Sequence, residues 1–431
     1  MNNILGIRRE DKNKWEKRVP ITPEHLREMK NNHNIESIVQ KSPIRVFTDK
    51  EYEKKGIKVR DDLNICPVIF GVKEMPLSFF EENKTYVFFS HIIKGQKYNM
   101  PMLKEMIDKK CSLIDYEKIT DEKGRRLVFF GRYAGLAGMT DTLWAFGQKL
   151  DIKGIKTPFS DIKQTIKYDN LEKLKKHLLT IAEKIEKKGL NEKITPLVVG
   201  FTGYGNVSKG AQEIIDCLPI REIRPSQLEE IEDNYENNLV YKVVFKENDI
   251  VEPIDDEEFD LEKYYHNPEL FRPIFTKYIP HISILMNCIY WDERYPKLIT
   301  KKYLKKQYFD EMKLQIVGDI SVDVGGAIEF TEKVTSPDQP VFIYNPNKNS
   351  ISDGVKGDGI AVMAVDNLPC ELPRESSEVF SDSLLPFIPY IVKADYNKSY
   401  DKIDLPDKIK KALILHKGKL TPDYEYINKF L

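Results

Sequence analysis

The sequence predicts an α/β protein built from two doubly wound domains with a cleft between them. Three observations predict it: a length of 431 residues, short apolar runs alternating with polar, helix-like stretches through the first 140 residues, and a strand, glycine turn and helix in that order near residue 200. A chain of this length with 41% hydrophobic residues exceeds one compact core and divides into two domains of ordinary size.

In the first domain the apolar runs Ile4 to Ile7, Ile35 to Gln40, Val68 to Val72, Tyr86 to Phe89 and Ser112 to Ile114 read as strands of a largely parallel sheet, because each is short and is followed by a polar stretch. Leu171, Leu174, Leu178, Ile181 and Ile185 recur at spacings of three and four, one apolar stripe on a helix. The lysines between Lys173 and Lys188 interleave with glutamates and read as a solvated face. Pro196 to Phe201 reads as a buried strand, and Ala211 to Leu218 as the helix beyond the glycine turn. The acidic, aromatic stretch from Leu228 to Phe275, with Asp255-Asp-Glu-Glu258 inside it, reads as a surface insertion. Strands resume at Ile282 to Met286 and Leu314 to Val317, with Asn287 and Asp319 placed where parallel strands present their carboxyl ends to a cofactor. Helical patterning over Pro373 to Ile391 returns the chain to the first domain. The expected division is 1–140 plus 370–431 for one domain and 141–369 for the other, with the insertion at 228–275.

Lys plus Arg (67) and Asp plus Glu (68) nearly cancel, so the basic excess that holds nucleic acid is missing and small-molecule chemistry is favoured. No apolar segment approaches the roughly 20 residues that span a bilayer, and the opening MNNILGIRREDK has no apolar signal stretch. A soluble, cytoplasmic protein with no membrane partner is expected. Cys66, Cys111, Cys217, Cys288 and Cys370 lack CxxC or Cys/His spacing, which predicts idle thiols and no metal.

Thr202-Gly203-Tyr204-Gly205-Asn206-Val207 sits between strand and helix. Small residues there let backbone approach a pyrophosphate while a helix N-terminus offers its N–H groups, so a nicotinamide dinucleotide is the expected ligand. Ser208 replaces the third glycine of GxGxxG, and a ligand-free tight turn has the same local sequence. About 20 residues on, Arg224 stands where a charged side chain would read the adenosine ribose, and favours a 2′-phosphate; Glu222, two residues earlier on the same strand face, favours the unphosphorylated ribose. NADPH is the expected cofactor, with NADH as the alternative.

In the first domain, Phe70-Gly-Val-Lys73-Glu74-Met-Pro76 and Phe88-Phe-Ser-His91-Ile-Ile-Lys94-Gly-Gln96 each place ionisable residues just past a strand. Lys73 and His91 are candidate base and acid, since burial or a neighbouring cation brings a lysine toward neutrality and histidine begins near it. A surface lysine and a structural histidine have the same sequence signature. Arg18 and the pair Arg125-Arg126 offer guanidinium groups that clamp carboxylates through two parallel hydrogen bonds.

These residues resemble a known family, the lysine-ketoglutarate reductase domain of α-aminoadipic semialdehyde synthases, with lysine-forming saccharopine dehydrogenase and alanine dehydrogenase as more distant relatives. The matching stretches are RREDKNKWEKRVPITPEH (Arg8 to His25), GVKEMP (Gly71 to Pro76), FFSHIIKGQ (Phe88 to Gln96), LIDYEKITDEKGRR (Leu113 to Arg126), FGRYAGLAGM (Phe130 to Met139), GYGNVSKGAQ (Gly203 to Gln212), NCIYW (Asn287 to Trp291), DISVDVGGAIEF (Asp319 to Phe330) and DNLPCELPRESS (Asp366 to Ser377). The resemblance implies two Rossmann-like domains and the reductive condensation of L-lysine with 2-oxoglutarate to saccharopine, a step of lysine degradation. It implies Lys73 and His91 as the catalytic pair, and Arg18, Glu74, Lys94, Gln96, Glu117 and Arg126 around the substrates. It places Asn287, Ile289, Tyr290, Asp319, Asp323, Asn367 and Leu368 at the cofactor with the glycine turn and Arg224. The family's bifunctional members continue into a saccharopine-cleaving half and this sequence ends at Leu431, so saccharopine synthesis without cleavage is expected, a separate glutamate-forming saccharopine dehydrogenase completing the conversion. Homo-oligomerisation stays open. Reductive amination with free ammonia and a non-catalytic NADPH sensor are the competing readings.

Overall fold

The computed structural model describes residues 3–255, 257–308 and 312–431; Asp256, within the acidic stretch noted above, lies outside them, as do the first two residues. The chain forms two compact units, one made of the segment up to Phe130 with Pro373–Leu431, the other of Gly131–Leu372. The expected boundary at 140 falls instead at 130, because Gly131–Ile152 is one unbroken helix, and the return falls at Pro373, which opens another. Among the described residues no helix is long and apolar enough to cross a membrane.

In chain order the strands are β1 (Ile4–Ile7), β2 (Glu36–Gln40), β3 (Lys58–Arg60), β4 (Val68–Phe70), β5 (Thr85–Phe88), β6 (Ser112–Asp115), β7 (Val198–Thr202), β8 (Ile220–Ile223) and β9 (Val240–Phe245). After them come β10 (Val251–Pro253), β11 (Phe271–Pro273), β12 (Ile284–Asn287), β13 (Ile316–Asp319), β14 (Val341–Asn345), β15 (Ser350–Asp353), β16 (Ile360–Met363), β17 (Leu413–His416) and β18 (Lys419–Leu420). The helices that matter below are α1 (Pro23–His33), α2 (Met100–Asp108), α3 (Gly131–Ile152), α4 (Leu171–Lys188), α5 (Asn206–Ile215) and α6 (Pro373–Leu384).

The first unit holds the sheet β18-β17-β6-β5-β4-β1-β2-β3. Strands β1 to β6 run parallel, and β17 lies antiparallel on β6. Strands β4, β5 and β6 are buried along their whole length, which is why they read as unbroken apolar runs rather than as alternation. The winding reverses between β1 and β4, so the loops after those two strands bound the crevice where ligands of such sheets bind. Helix α1 starts cleanly because Thr22 accepts the His25 N–H and Pro23 follows it; α6 packs back on the loop before it, Ser377 and Ser381 accepting the N–H groups of Val19 and Thr22.

The second unit holds the sheet β15-β14-β16-β13-β12-β7-β9-β8. Its winding reverses between β7 and β12, with parallel neighbours on both sides of β7. Two expectations change here. Residues 228–275 are not a surface excursion throughout: Val240–Phe245 is an interior strand lying directly beside β7, and only the ribbon of β10 and β11 with its short helix stands apart as a small separate sheet. Lys242 in the middle of that strand obscured it in the sequence; the residue is 5% exposed, and its ammonium reaches Asp216 at 3.0 Å and Glu222 at 2.9 Å. Strand β8, next in sequence after β7, is therefore the sheet edge. Secondly, α5 begins at Asn206, immediately at the glycine turn, not at Ala211.

Helices α3 and α5 touch through glycines. A Cβ on Gly135 would lie 2.0 Å from the Val207 carbonyl oxygen, and one on Gly210 would lie 2.0 Å from that of Arg132. The close approach that a third glycine makes in GxGxxG is thus made by Gly210, which frees position 208 for a serine whose Oγ accepts from Gln212 at 2.9 Å.

Candidate active site

Four parallel strands of the first unit deliver the ionisable residues. The loop after β1 carries Glu10, Lys12, Glu16 and Arg18; that after β4, Lys73 and Glu74; that after β5, His91, Lys94 and Gln96; and that after β6, Glu117. Their side chains interlock. His91 Nδ1 meets Glu74 Oε1 at 2.6 Å, Lys12 Nζ meets Glu74 Oε2 at 3.0 Å, and Arg126 pairs with Glu117. Burial works against the charge of Glu74, but the hydrogen bond from His91 and the charges of His91 and Lys12 outweigh it and hold the carboxyl below the usual range. Lys73 is half-buried, and burial first, then the Arg18 guanidinium, pulls its ammonium below the ordinary lysine value against the opposing pull of Glu16.

Arg18 does not stand as an open clamp. Its Nε and Nη2 meet Glu16 Oε1 and Oε2 at 2.8 and 2.6 Å, its side chain is 1% exposed, and the guanidinium lies 4.2 Å over the Phe130 ring. A buried guanidinium requires such a partner, and Glu16, two residues away, supplies it. Gln96 also turns inward on its own loop, accepting the Lys94 N–H at 3.0 Å, and Lys94 is exposed. Arg126 is exposed and pairs with the half-buried Glu117, while Arg125 goes to Asp121 at 2.7 Å.

Three further residues hold this arrangement, and sequence reasoning missed them. Glu10, buried and pushed up to about 7 chiefly by that burial, accepts the N–H groups of Val72 and Lys73 at 2.7 and 3.0 Å and so fixes the backbone that carries Lys73. Asp115, at the end of β6, accepts from the Ser90 N–H and from the Glu117 N–H at 2.9 and 2.8 Å, tying the His91 loop to the Glu117 loop. Asn99 donates to the carbonyl oxygens of Ser90 and His91 at 2.9 and 3.3 Å, where His91 adopts φ +48°. That conformation costs a β-carbon residue of order 1–3 kcal/mol and persists only when its surroundings impose it. Asp115 alone carried a usable signal, since it ends a strand next to two candidates.

In the second unit the glycine turn lies at the winding reversal. Gly203 has φ +82°, and a Cβ there would lie 3.1 Å from Ile289 Cγ2 and 3.4 Å from the Cys288 carbonyl oxygen; a Cβ on Gly205 would meet nothing within 4 Å. The turn is closed against the loop after β12 and open outward, and the first N–H groups of α5, at Asn206 and Val207, begin there. That geometry fits a pyrophosphate. Tyr204 is exposed, and its hydroxyl reaches Glu247 at 3.4 Å. Asn287 and Asp319 end adjacent strands and are bonded to each other at 2.9 Å, with Thr202 and Thr331 completing the network; burial raises the Asp319 carboxyl to about 6. Ile289 is half-buried, Tyr290 and Asp323 are exposed, and Asn367 is buried at the end of the loop after β16. Leu368 is 1% exposed, and its side chain packs beside Gly138 of α3. Arg224 follows the edge strand β8, and the Glu222 carboxylate is turned to Lys242.

Residues 6–137 match the alanine dehydrogenase/PNT N-terminal domain, and residues 218–423 match the alanine dehydrogenase/PNT C-terminal domain. The chain belongs to the alanine dehydrogenase/PNT family. Among curated relatives, α-aminoadipic semialdehyde synthase of Arabidopsis thaliana is 39% identical over 99% of this chain, and the mitochondrial synthase of Bos taurus 34% identical over 99%. The chain spans 41% and 48% of their lengths. A saccharopine dehydrogenase [NAD(+), L-lysine-forming] of Yarrowia lipolytica is 26% identical, covering 91% of this chain and 93% of that protein. Among solved structures an L-alanine dehydrogenase superposes with a TM-score of 0.63 at 14% identity, covering 99% of this chain and all of the other. The two Rossmann-like units of this family member follow that fold.

Proposed function

We propose that this family member is a lysine–2-oxoglutarate reductase that makes saccharopine with NADPH. The single observation that carries the reading is the half-buried Lys73 on the loop after β4, with its neighbour Glu74 holding His91 from the loop after the adjacent strand β5. The substrates come from the names of the relatives, above all the semialdehyde synthases matched over 99% of the chain.

The lysine ε-amine adds to the keto carbon of 2-oxoglutarate, forming a C–N bond; the former keto oxygen leaves as water, and the imine carbon is then reduced. The nicotinamide supplies the hydride. Lys73, pulled toward its neutral form by burial, takes the proton released when the amine adds, and His91 delivers a proton to the departing oxygen. The bond from Nδ1 to Glu74 fixes the ring and leaves Nε2 as its working nitrogen. Arg126, exposed beside Glu117, binds a substrate carboxylate, whereas Arg18 acts by its charge beside Lys73. The glycine turn and α5 hold the pyrophosphate, with Asn287 and Asp319 walling the crevice.

The test follows nicotinamide absorbance with lysine plus 2-oxoglutarate, NADPH against NADH, and lysine against ornithine or ammonia. Oxidation that needs lysine and runs faster with NADPH is the expected result. Equal oxidation with ammonia overturns it.

A further inference from the structure

Strand order carries an inference that sequence order hides. In a dinucleotide sheet the residue that reads the adenosine ribose stands at the carboxyl end of the strand beside the glycine-turn strand, where an acid accepts the ribose hydroxyls of NAD. That neighbour is β9, whose last carbonyl, Phe245 O, accepts the Gly203 N–H at 3.0 Å. The residue after it is Lys246. Strands are spaced about 4.8 Å apart, so Arg224 at the end of β8 lies a further strand out, roughly 10 Å from the glycine-turn strand.

We propose that Lys246, with Lys277 lining the same cavity, selects the phosphorylated cofactor by holding a phosphate monoester on the adenosine ribose. The inference rests on the nicotinamide reading above and deepens it. Tyr204 of the glycine turn, Arg224, Lys246 and Lys277 line one cavity of about 920 Å³, large enough for a nucleoside phosphate. Lys209 joins them, and among the described residues none of these four cations forms an ion pair.

Three of the acids nearby are engaged elsewhere. Glu247, next to Lys246, takes the hydroxyl of Tyr265 at 2.7 Å and that of Tyr204 at 3.4 Å on one oxygen. Glu222 reaches Lys242 at 2.9 Å, and Asp249 accepts the Lys246 N–H at 2.9 Å as a helix cap. Glu229 is the remaining acid on the wall, and it is exposed. The place where NAD enzymes keep a carboxylate therefore presents ammonium groups, which favour an added phosphate and offer no acceptor to a bare diol.

The experiment measures kcat/KM for NADPH and NADH in the full chain and in Lys246→Ala, Lys246→Glu, Lys277→Ala and Arg224→Ala. Calorimetric binding of adenosine 2′,5′-bisphosphate against adenosine 5′-monophosphate gives a readout without turnover. The expected result is a fall of about 10- to 100-fold in the NADPH-over-NADH ratio for Lys246→Ala, more for Lys246→Glu, and a matching loss for the bisphosphate. Discrimination that survives Lys246→Glu, or that is lost in Arg224→Ala alone, overturns the assignment while leaving the cofactor reading standing. A parent chain that favours NADH, or binds neither adenosine phosphate, overturns both.

Discussion

His91 Nδ1 lies 2.6 Å from Glu74 Oε1, and the second oxygen of that carboxylate takes Lys12 at 3.0 Å. One acid thus aligns a ring and a cation from two different loops. Glu74→Gln keeps the size of the side chain and removes its charge. Steady-state turnover should fall about 10- to 100-fold, the worth of a hydrogen bond to a charged group, with little change in thermal stability. Undiminished kcat would show that His91 needs no tether.

Lys73→Met and His91→Gln should each lower kcat by about 10²- to 10⁴-fold while NADPH binding, read by fluorescence titration, persists. Because burial and Arg18 lower the Lys73 ammonium, its neutral form is reached at lower pH than for an ordinary lysine. The rate should therefore rise with pH along a limb lying below 10.5, the ordinary lysine value, and that limb should vanish in Lys73→Met. A limb unaltered in the variant would assign it to another group.

Gly210→Ala should be among the most damaging single-methyl changes in the chain. The new carbon would meet the Arg132 carbonyl oxygen at 2.0 Å, backbone against backbone, with no flexible side chain to yield. A loss of about 1–3 kcal/mol or more is expected in urea unfolding, together with weaker cofactor binding, since the displaced helix begins at the glycine turn. Alanine at Gly205, which faces open space, gives the matched comparison for stability.

Asp141 of α3 and Glu371, just before the chain leaves the second unit, are buried carboxyls that act on each other, and burial raises both above their ordinary values. The folded state keeps protons that the unfolded state has released, so this pair favours folding most below the ordinary values of 3.8 and 4.5 and loses that contribution as pH rises toward the folded ones. Glu371→Gln should flatten that loss: relative to the parent its melting temperature should rise as pH is taken from about 5 to about 8. Parallel melting curves for the two proteins would contradict it.

The sequence disclosed whatever leaves a local imprint. The buried strands β4, β5 and β6 appear as apolar runs because both their faces are covered, and α4 shows its stripe because only one face is. Lys73, His91 and Glu74 were legible for the same reason, each standing just past such a run. What depends on lateral neighbours was not legible. Nothing local tells that Val240–Phe245 lies beside Val198–Thr202 while Ile220–Ile223 is pushed to the edge, and Arg224 is the ribose-reading position that chain order alone suggests. Glu10 and Asn99 look like ordinary polar loop residues until the backbone groups they bind are seen. Arg18 reads from the sequence as a guanidinium free to clamp a carboxylate, and only the structure shows Glu16, two residues away, already on it.

The edge position of β8 has a consequence for assembly. An outer strand with bare backbone groups is a template on which another chain can add. Here the border is brief and charged: Arg221 and Glu222 of β8 are tied to Glu236 and Lys242, and at the border of the other sheet β3 is three residues long with Lys58 and Arg60 on it. Two copies of β3 pairing antiparallel would set Lys58 against Arg60, like charge against like, before any ladder could form, and β8 offers only four residues whose charges are already taken.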